Sequence, residues 1–213
     1  MICSIDILYN FRDDREVYGV PTRDLRDKLA LNTVSFLKNQ NIKADIVAPI
    51  PHTGARYSEI IADGLGAMHL NLLEKSTSQR SLGGSNSLRN EINDRIHLVE
   101  IPEKDKKVLL IDEAVFSGLT ITKVANTLRT AGLINFSFCL VAPIVRSGCP
   151  WGRGLEKNLL AENDLPRKRK VEDLIDEWKN EIQATDIHFT SFDSFSSCLN
   201  DFDVCRQCFR CSH

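Results

Sequence analysis

Short apolar runs alternate along the chain with longer stretches in which apolar residues recur every three or four positions. The apolar runs that read as buried parallel strands lie at residues 44–50, 108–111 and 134–142. Helical periodicity is present over residues 22–40, from about 54 to 66, and over 120–131. A short strand is also predicted at residues 4–9. This alternation of strands and helices predicts an α/β fold with a doubly wound, mostly parallel sheet.

The second half of the chain ends in a charged segment, a helix and a cysteine-rich tail. The predicted helix begins after the basic run at 167–170, and its apolar face is formed by Val171, Leu174, Ile175, Trp178 and Ile182. Residues 75–90 are rich in Ser, Gly and Asn and are predicted to form a loop. With 213 residues, we expect a single domain over 1–213, with a C-terminal appendage from about residue 150.

Composition and charge exclude several classes of protein. The formal net charge is -2, so the chain lacks the excess of basic residues that is typical of nucleic-acid-binding proteins, and no nucleic-acid partner is expected. No apolar run is long enough to span a bilayer, so no membrane partner is expected. The first residues lack the pattern of a secretory signal, and we expect a cytoplasmic protein. Seven cysteines in such a protein indicate metal or redox chemistry rather than a disulfide framework.

The segment VLLIDEAVFSGLTI, residues 108–121, is the most informative motif. An apolar strand ends in two adjacent carboxylates, Asp112 and Glu113, at the position where ligands bind in open α/β sheets. A turn of small residues then opens a helix, whose N-terminal N–H groups and dipole suit a phosphate. Carboxylates beside a phosphate site favour a ligand that carries hydroxyl groups next to its phosphate, such as a ribose 5-phosphate.

This motif resembles the phosphoribosyl pyrophosphate (PRPP) loop of the type I phosphoribosyltransferases. The resemblance implies that Asp112 and Glu113 act at the catalytic centre by accepting hydrogen bonds from the ribose hydroxyls. It also implies that the following loop holds the 5-phosphate. The loop residues concerned are Ala114, Val115, Phe116, Ser117, Gly118, Leu119 and Thr120.

Two further segments extend the resemblance. APIPHTGARY, residues 48–57, is similar to the pyrophosphate turn of the glutamine amidophosphoribosyltransferases, the first enzymes of purine synthesis. There His52, Thr53 and Gly54 would supply backbone N–H groups and Arg56 a positive charge.

Residues 75–93 correspond to the flexible catalytic loop of that family, in which a basic residue is followed four positions later by Asn, as Arg89 and Asn93 are here. The resemblance implies that Arg89 is a catalytic residue of a loop that closes over PRPP and brings positive charge to the leaving pyrophosphate.

The cysteines lie at positions 3, 139, 149, 198, 205, 208 and 211, and the last three form C-x-x-C-x-x-C. Closely spaced thiolates bind zinc or iron–sulfur clusters, and the spacing does not choose between them. The chain also resembles the class of amidophosphoribosyltransferases that carries a 4Fe–4S cluster, which implies Cys3, Cys149, Cys208 and Cys211 as ligands. Zn²⁺ is the alternative metal. Cys139 is expected in the core, because it lies in an apolar strand.

The resemblance implies transfer of ribose 5-phosphate from PRPP, with Mg²⁺, to ammonia or a small amine. The resemblance covers only the phosphoribosyltransferase half of that enzyme and not its glutaminase half. A separate glutaminase subunit that supplies the ammonia is therefore one candidate partner. The alternatives are a nucleobase or specialised-metabolite acceptor, or a non-catalytic PRPP-binding regulatory protein. The oligomeric state, a homo-oligomer included, stays open. Departures from the family at Ser117, Leu119 and Gly154 concern recognition of the nucleophile more than of the phosphate.

Overall fold

The computed structural model describes residues 1–51, 54–75, 96–149 and 171–210. The strands are β1 (Ile2–Cys3), β2 (Glu16–Val17), β3 (Val20–Pro21), β4 (Ile46–Pro49), β5 (Met68–His69), β6 (Leu73–Lys75), β7 (Ile96–Leu98), β8 (Val108–Asp112), β9 (Phe136–Leu140), β10 (Asp186–Phe189) and β11 (Val204–Cys205). The α-helices are α1 (Thr22–Asn39), α2 (Gly54–Leu65), α3 (Leu119–Thr130), α4 (Val171–Ile182) and α5 (Phe192–Ser197).

A central parallel sheet has the strand order β10-β9-β8-β4-β5. From β4 the chain moves outward to β5 on one side, and later places β8, β9 and β10 on the other side. The direction of winding therefore reverses between β4 and β8, which is where ligands bind in sheets of this kind. The expected doubly wound parallel sheet is confirmed.

Apolar layers cover both faces of the sheet. On one face, α1, α2 and α5 pack around side chains such as Leu29, Tyr57 and Phe195. On the other face, α3 and α4 bury side chains such as Leu128 and Trp178. Parallel strands that are covered on both faces carry few polar residues, which explains the continuous apolar runs in β4, β8 and β9.

The N-terminal segment differs from its prediction. Residues 4–9 are not a strand, because Asp6–Asn10 form a π-helical turn in which the Phe11 N–H donates to the Asp6 carbonyl at 2.8 Å. Side chains from elsewhere hold this turn: the Tyr57 hydroxyl donates to the Leu8 carbonyl and Arg26 donates to the Ile7 carbonyl. The tertiary contacts thus override a local apolar pattern that resembles a strand. The short elements β5, β10 and α5 were not predicted.

Other predicted elements agree with the structure. The helices predicted over 22–40, 54–66 and 120–131 appear as α1, α2 and α3, and the apolar face predicted for α4 is buried through Leu174, Trp178 and Ile182. The helix ends also follow the sequence, since Gly66 and Gly132 adopt the left-handed conformation that terminates a helix. Within the described residues, no helix has the length and apolar character needed to cross a bilayer.

The close packing of α1 on α2 depends on Gly64. A Cβ atom at this position would lie 2.6 Å and 2.7 Å from the two Cγ atoms of Val34. We expect Gly64→Ala to lower the free energy of unfolding by about 1–3 kcal/mol, because overpacking forces helices apart. Urea denaturation measures this change.

A double-mutant cycle identifies the cause. Val34→Ala removes the clashing Cγ atoms, so the Gly64→Ala/Val34→Ala pair should be less destabilised than the sum of the single changes. The exposed neighbour Asp63→Ala is the control. Strict additivity of the two substitutions would show that the Val34 contact is not the cause.

Candidate active site

Two acidic residues end the central strand β8 at the point where the sheet reverses its winding. Asp112 is the last residue of β8 and is half-buried, whereas Glu113 is buried, with 8% of its surface exposed. The segment after β9 extends the pairing, since the N–H groups of Val141 and Ala142 donate to the carbonyls of Asp112 and Glu113 at 3.1 and 2.8 Å. Both acids are therefore held by a rigid backbone.

The two carboxyl groups interact strongly. The Glu113 N–H donates to Oδ1 of Asp112 at 3.0 Å. Burial raises the pKa of Asp112 well above its usual range, and the charge of Glu113 and a side-chain hydrogen bond with it raise this pKa further. Loss of solvation is therefore the main cause of the shift, and the neighbouring carboxylate adds to it. Carboxylate oxygens are hydrogen-bond acceptors, so the pair offers acceptors to hydroxyl groups of a ligand.

Lys75 brings positive charge to the same place. It is the last residue of β6, and its ammonium group lowers the pKa of Asp112, in opposition to burial and to Glu113. Lys75 is the first residue of the segment 75–93, which the sequence predicts to be the catalytic loop. The rest of that loop, with Arg89 and Asn93, lies outside the described residues.

The predicted phosphate loop leads directly from the acids into α3. Ala114 and Val115 are buried and anchor the loop, while Ser117 is half-buried. Gly118 adopts φ +77° at the N-cap of α3, and the Ser117 hydroxyl accepts a long 3.5 Å hydrogen bond from the Leu119 N–H. Gly118 turns the chain at the end of the loop formed by residues 114–118, and the first turn of α3 begins at the next residue, Leu119. Phe116, Leu119 and Thr120 complete the segment as predicted from the sequence.

The second predicted segment lies beside the first. The Ile50 N–H donates to the Ile111 carbonyl at 2.9 Å, which joins the end of β4 to the end of β8. Gly54 begins α2 against the same carbonyl, and a Cβ atom there would stand 2.5 Å from the Ile111 oxygen. The start of α2 and the acid pair are therefore neighbours. His52 and Thr53 lie outside the described residues.

Arg56 has a partner that the sequence did not indicate. Its Nε and Nη2 atoms donate to the two carboxylate oxygens of Asp27 at 2.8 and 2.6 Å. This bidentate pair links α2 to α1, and the hydrogen bond to Asp27 raises the pKa of Arg56. The guanidinium predicted to serve the pyrophosphate is held by α1 in this structure.

Tyr57 and Arg26 were not predicted as part of this region. Burial is the main cause that raises the pKa of the Tyr57 hydroxyl, Arg26 lowers it, and Glu113 is among the neighbours that raise it further. Arg26 also donates to the Phe11 carbonyl and to the Asp13 carboxylate at 2.8 and 2.6 Å. Together these side chains attach the N-terminal turn to the region of Glu113. In the sequence, Tyr57 is indistinguishable from any other apolar residue of an amphipathic helix.

Among the described residues, three of the cysteines predicted to bind metal, Cys3, Cys149 and Cys208, belong to segments that meet near Cys208. Cys3 and Cys205 are register partners on the parallel strands β1 and β11. The Arg146 and Ser147 N–H groups donate to the Cys208 carbonyl at 2.8 and 3.2 Å, which brings the segment that ends in Cys149 beside the tail. Burial raises the pKa of the Cys208 thiol to about 12, and the neighbouring Cys3, Cys205 and Cys149 raise it as well.

A complete metal site is not seen in the described part of the chain. There, no group of three His, Cys, Asp or Glu side chains is arranged to hold an ion. Cys211, the fourth predicted ligand, lies outside the described residues. Cys139 is fully buried in β9, as predicted for a core residue, and burial raises its pKa to about 12.

The raised pKa of Asp112 predicts a pH-dependent stability. The folded protein holds a proton that the unfolded chain releases at a lower pH, so the stability contributed by this group is lost as pH rises through the raised folded pKa. Asn at position 112 does not titrate. We therefore expect the melting temperature of Asp112→Asn, relative to that of the natural chain, to rise by roughly 2–4 °C as pH increases from about 4 to 8.

Thermal melts at several pH values test this expectation, with the exposed Asp63→Asn as the control. Only a trend with pH that Asp112→Asn shows and the control does not is attributed to position 112. A difference for Asp112→Asn that is constant with pH, or that shrinks as pH rises, would contradict the expectation.

Comparison with known proteins identifies the family to which this chain is similar. The family model described as phosphoribosyl transferase domain matches residues 28–185. Amidophosphoribosyltransferase of Methanocaldococcus jannaschii is 24% identical over 97% of this chain and 42% of its own length. The Saccharomyces cerevisiae amidophosphoribosyltransferase is 27% identical over 74% of this chain and 32% of its own length.

Solved structures show the same fold. Glutamine PRPP amidotransferase of Bacillus subtilis, complexed with ADP and GMP, superposes with a TM-score of 0.73 at 20% sequence identity. The match covers 99% of this chain and 45% of that one. The chain thus spans less than half the length of these relatives.

Proposed function

Because the chain belongs to the phosphoribosyl transferase domain family, we propose that it transfers ribose 5-phosphate from PRPP to ammonia or a small amine and releases pyrophosphate. Members of this family are pentosyltransferases that use PRPP. The amine acceptor is inferred from the relatives, which are amidophosphoribosyltransferases. We further propose that residues 1–213 act as one phosphoribosyltransferase domain, with the cysteine-rich appendage beginning near residue 150.

One observation carries this proposal: Asp112 and Glu113 end β8 immediately before a loop that opens α3, at the reversal of the sheet. The carboxyls would accept hydrogen bonds from the 2- and 3-hydroxyl groups of the ribose. The N–H groups at the start of α3 would bind the 5-phosphate. The turn that precedes α2 would bind the pyrophosphate, with Lys75 and the predicted Arg89 supplying positive charge.

In the proposed reaction, the bond between C1 of the ribose and the pyrophosphate oxygen breaks first. Positive charge then develops on the ribose ring, and the carboxylate charge near the ring hydroxyls stabilises it. A neutral amine attacks C1 and afterwards loses a proton. The rigid backbone around Asp112 and Glu113 matters here, because the enzyme contributes mainly orientation and fixed charge.

Mg²⁺ is the expected metal of the substrate complex. It prefers oxygen ligands and usually retains several waters, so the pyrophosphate and ribose oxygens would bind it with few protein ligands. When bound, it supplies charge neutralisation to the leaving pyrophosphate.

The cysteines are proposed to hold a 4Fe–4S cluster through Cys3, Cys149, Cys208 and Cys211, with Zn²⁺ as the alternative. Three segments of chain bring the described thiols together, and thiolate sulfur suits either metal. The proposed role is structural or oxygen-sensing, because phosphoribosyl transfer includes no redox step. Bound metal would tie both ends of the chain to the segment after β9.

The test is pyrophosphate release by anaerobically purified protein supplied with PRPP and Mg²⁺, with and without ammonium. Release that depends on ammonium supports the proposal, and a separate glutaminase subunit with glutamine should then replace ammonium. Reactions that lack PRPP are the control. If the protein bound PRPP but released no pyrophosphate in all of these conditions, the proposal would be overturned.

A further inference from the structure

The pairing of β1 with β11 places two cysteines side by side. The strands run parallel with Ile2 opposite Val204 and Cys3 opposite Cys205. The same junction is held by the Ile2 N–H, which donates to the Asp203 carbonyl at 3.0 Å, and by the N-terminal ammonium, which lies 3.1 Å from the Asp203 carboxylate. The relative position of the two cysteines is therefore fixed by several contacts.

This register brings the two Cα atoms within the range of separations found in disulfides. Neighbouring strands lie about 4.8 Å apart, and the Cα atoms of bonded cysteines are usually about 4.4–6.8 Å apart. Register partners in parallel strands also direct their side chains to the same face of the sheet. The register of β1 and β11 thus places Cys3 and Cys205 where a disulfide between them is expected to form.

Exposure separates this pair from most of the other thiols. Cys3 and Cys205 are half-buried, whereas Cys139, Cys198 and Cys208 are buried. Cys149 is half-buried too, but it stands in the segment after β9 and has no register partner in β1. A soluble oxidant therefore reaches Cys3 and Cys205 before it reaches the buried thiols.

We propose that Cys3 and Cys205 form a redox modification site, which closes to a disulfide when no metal is bound at the cysteine cluster. The disulfide would withdraw Cys3 from the proposed metal ligands, so metal loading and disulfide formation exclude each other. This exclusion rests on the metal site proposed above. The disulfide itself rests on the register of β1 and β11 alone.

The oxidant is a small-molecule disulfide such as oxidised glutathione. One cysteine thiolate attacks a glutathione sulfur, forms a mixed disulfide and releases one glutathione thiolate. The second cysteine thiolate then attacks the protein sulfur of the mixed disulfide and releases the second glutathione. The two cysteines lose two protons and two electrons, which reduce one glutathione disulfide to two thiols.

Mass spectrometry tests the proposal on metal-free protein treated with oxidised glutathione and then alkylated. The intact mass should fall by about 2 Da before alkylation. Trypsin should then yield residues 1–12 linked to residues 180–206, whereas Cys149 and Cys208 fall in separate peptides, 147–153 and 207–210. Because residues 180–206 contain both Cys198 and Cys205, a second digestion with a protease that cleaves at aspartate is needed. Cleavage at Asp201 and Asp203 separates the two cysteines and shows which one is linked to Cys3.

Two variants sharpen the result. Cys205→Ser should lose the cross-link, while Cys198→Ala should retain it, and thermal melting confirms that both variants fold. A cross-link from Cys3 to Cys149 or Cys208, or a Cys205→Ser variant that still loses 2 Da, would overturn the proposal. So would the absence of any cross-link.

Measurement of bound iron tests separately whether the disulfide and the metal exclude each other. After reconstitution with iron and sulfide, reduced protein should bind iron, and protein with the disulfide should bind at least about tenfold less until a thiol reductant is added. Equal iron in the two forms would overturn the exclusion. A protein that forms the disulfide but never binds iron would disprove the proposed cluster and leave the modification site supported.

Discussion

Replacing both acids at the end of β8, as Asp112→Asn with Glu113→Gln, is expected to reduce pyrophosphate release by at least ~10³-fold and to preserve the fold. The amides keep the size of the side chains but remove the negative charge that would stabilise the developing ribose cation. Each amide also replaces one acceptor oxygen by an NH₂ group, which donates and does not accept from a ribose hydroxyl. Steady-state turnover with saturating PRPP and ammonium measures the loss, and circular dichroism checks the fold.

The chain contains a matched control for this change. Asp176 and Glu177 are also adjacent, but they are exposed on α4. Asp176→Asn with Glu177→Gln should leave turnover within about twofold, because surface charges of this kind contribute little. Turnover of the Asp112→Asn/Glu113→Gln variant within about tenfold of the natural chain would remove these acids from the proposed mechanism.

Gly54→Ala is expected to lower kcat/KM for PRPP by about 10²-fold, because it displaces the start of α2 from the end of β8. The added Cβ would stand 2.5 Å from the Ile111 carbonyl oxygen, and neither backbone can yield without moving an element of the site. Overpacking of this kind also lowers the free energy of unfolding by about 1–3 kcal/mol. Steady-state kinetics and urea denaturation measure the two effects.

Asp63→Ala is the control for this substitution. Asp63 lies near the other end of α2 and is exposed, so the change should alter stability by less than about 0.5 kcal/mol and leave kcat/KM intact. If Gly54→Ala retained both the stability and the kcat/KM of the natural chain, the tight approach of α2 to β8 would have no part in binding. Loss of kcat/KM without loss of stability would assign the effect to the site itself.

Strands buried on both faces and helices of one apolar face were predictable because each leaves a distinct local pattern. The runs that became β4, β8 and β9 are continuous and apolar, and α1 repeats Leu25, Leu29 and Leu37 on its buried face. Two-residue strands such as β1, β5 and β11 are too short for any periodicity. The turn at Asp6–Asn10 was mistaken for a strand because its apolar residues are buried by contacts from α1 and α2.

Local sequence patterns were enough to propose which residues carry the chemistry: the acid pair, the turn with Gly118, the glycine at 54 and the spaced cysteines. The interactions among these residues appear only in the folded chain. The tertiary structure raises the pKa of Asp112 by burying it beside Glu113, it commits Arg56 to Asp27, and it places Cys3 opposite Cys205. The physical reason is that charge interaction and strand register depend on distances between segments far apart in the chain, and no local pattern encodes these distances.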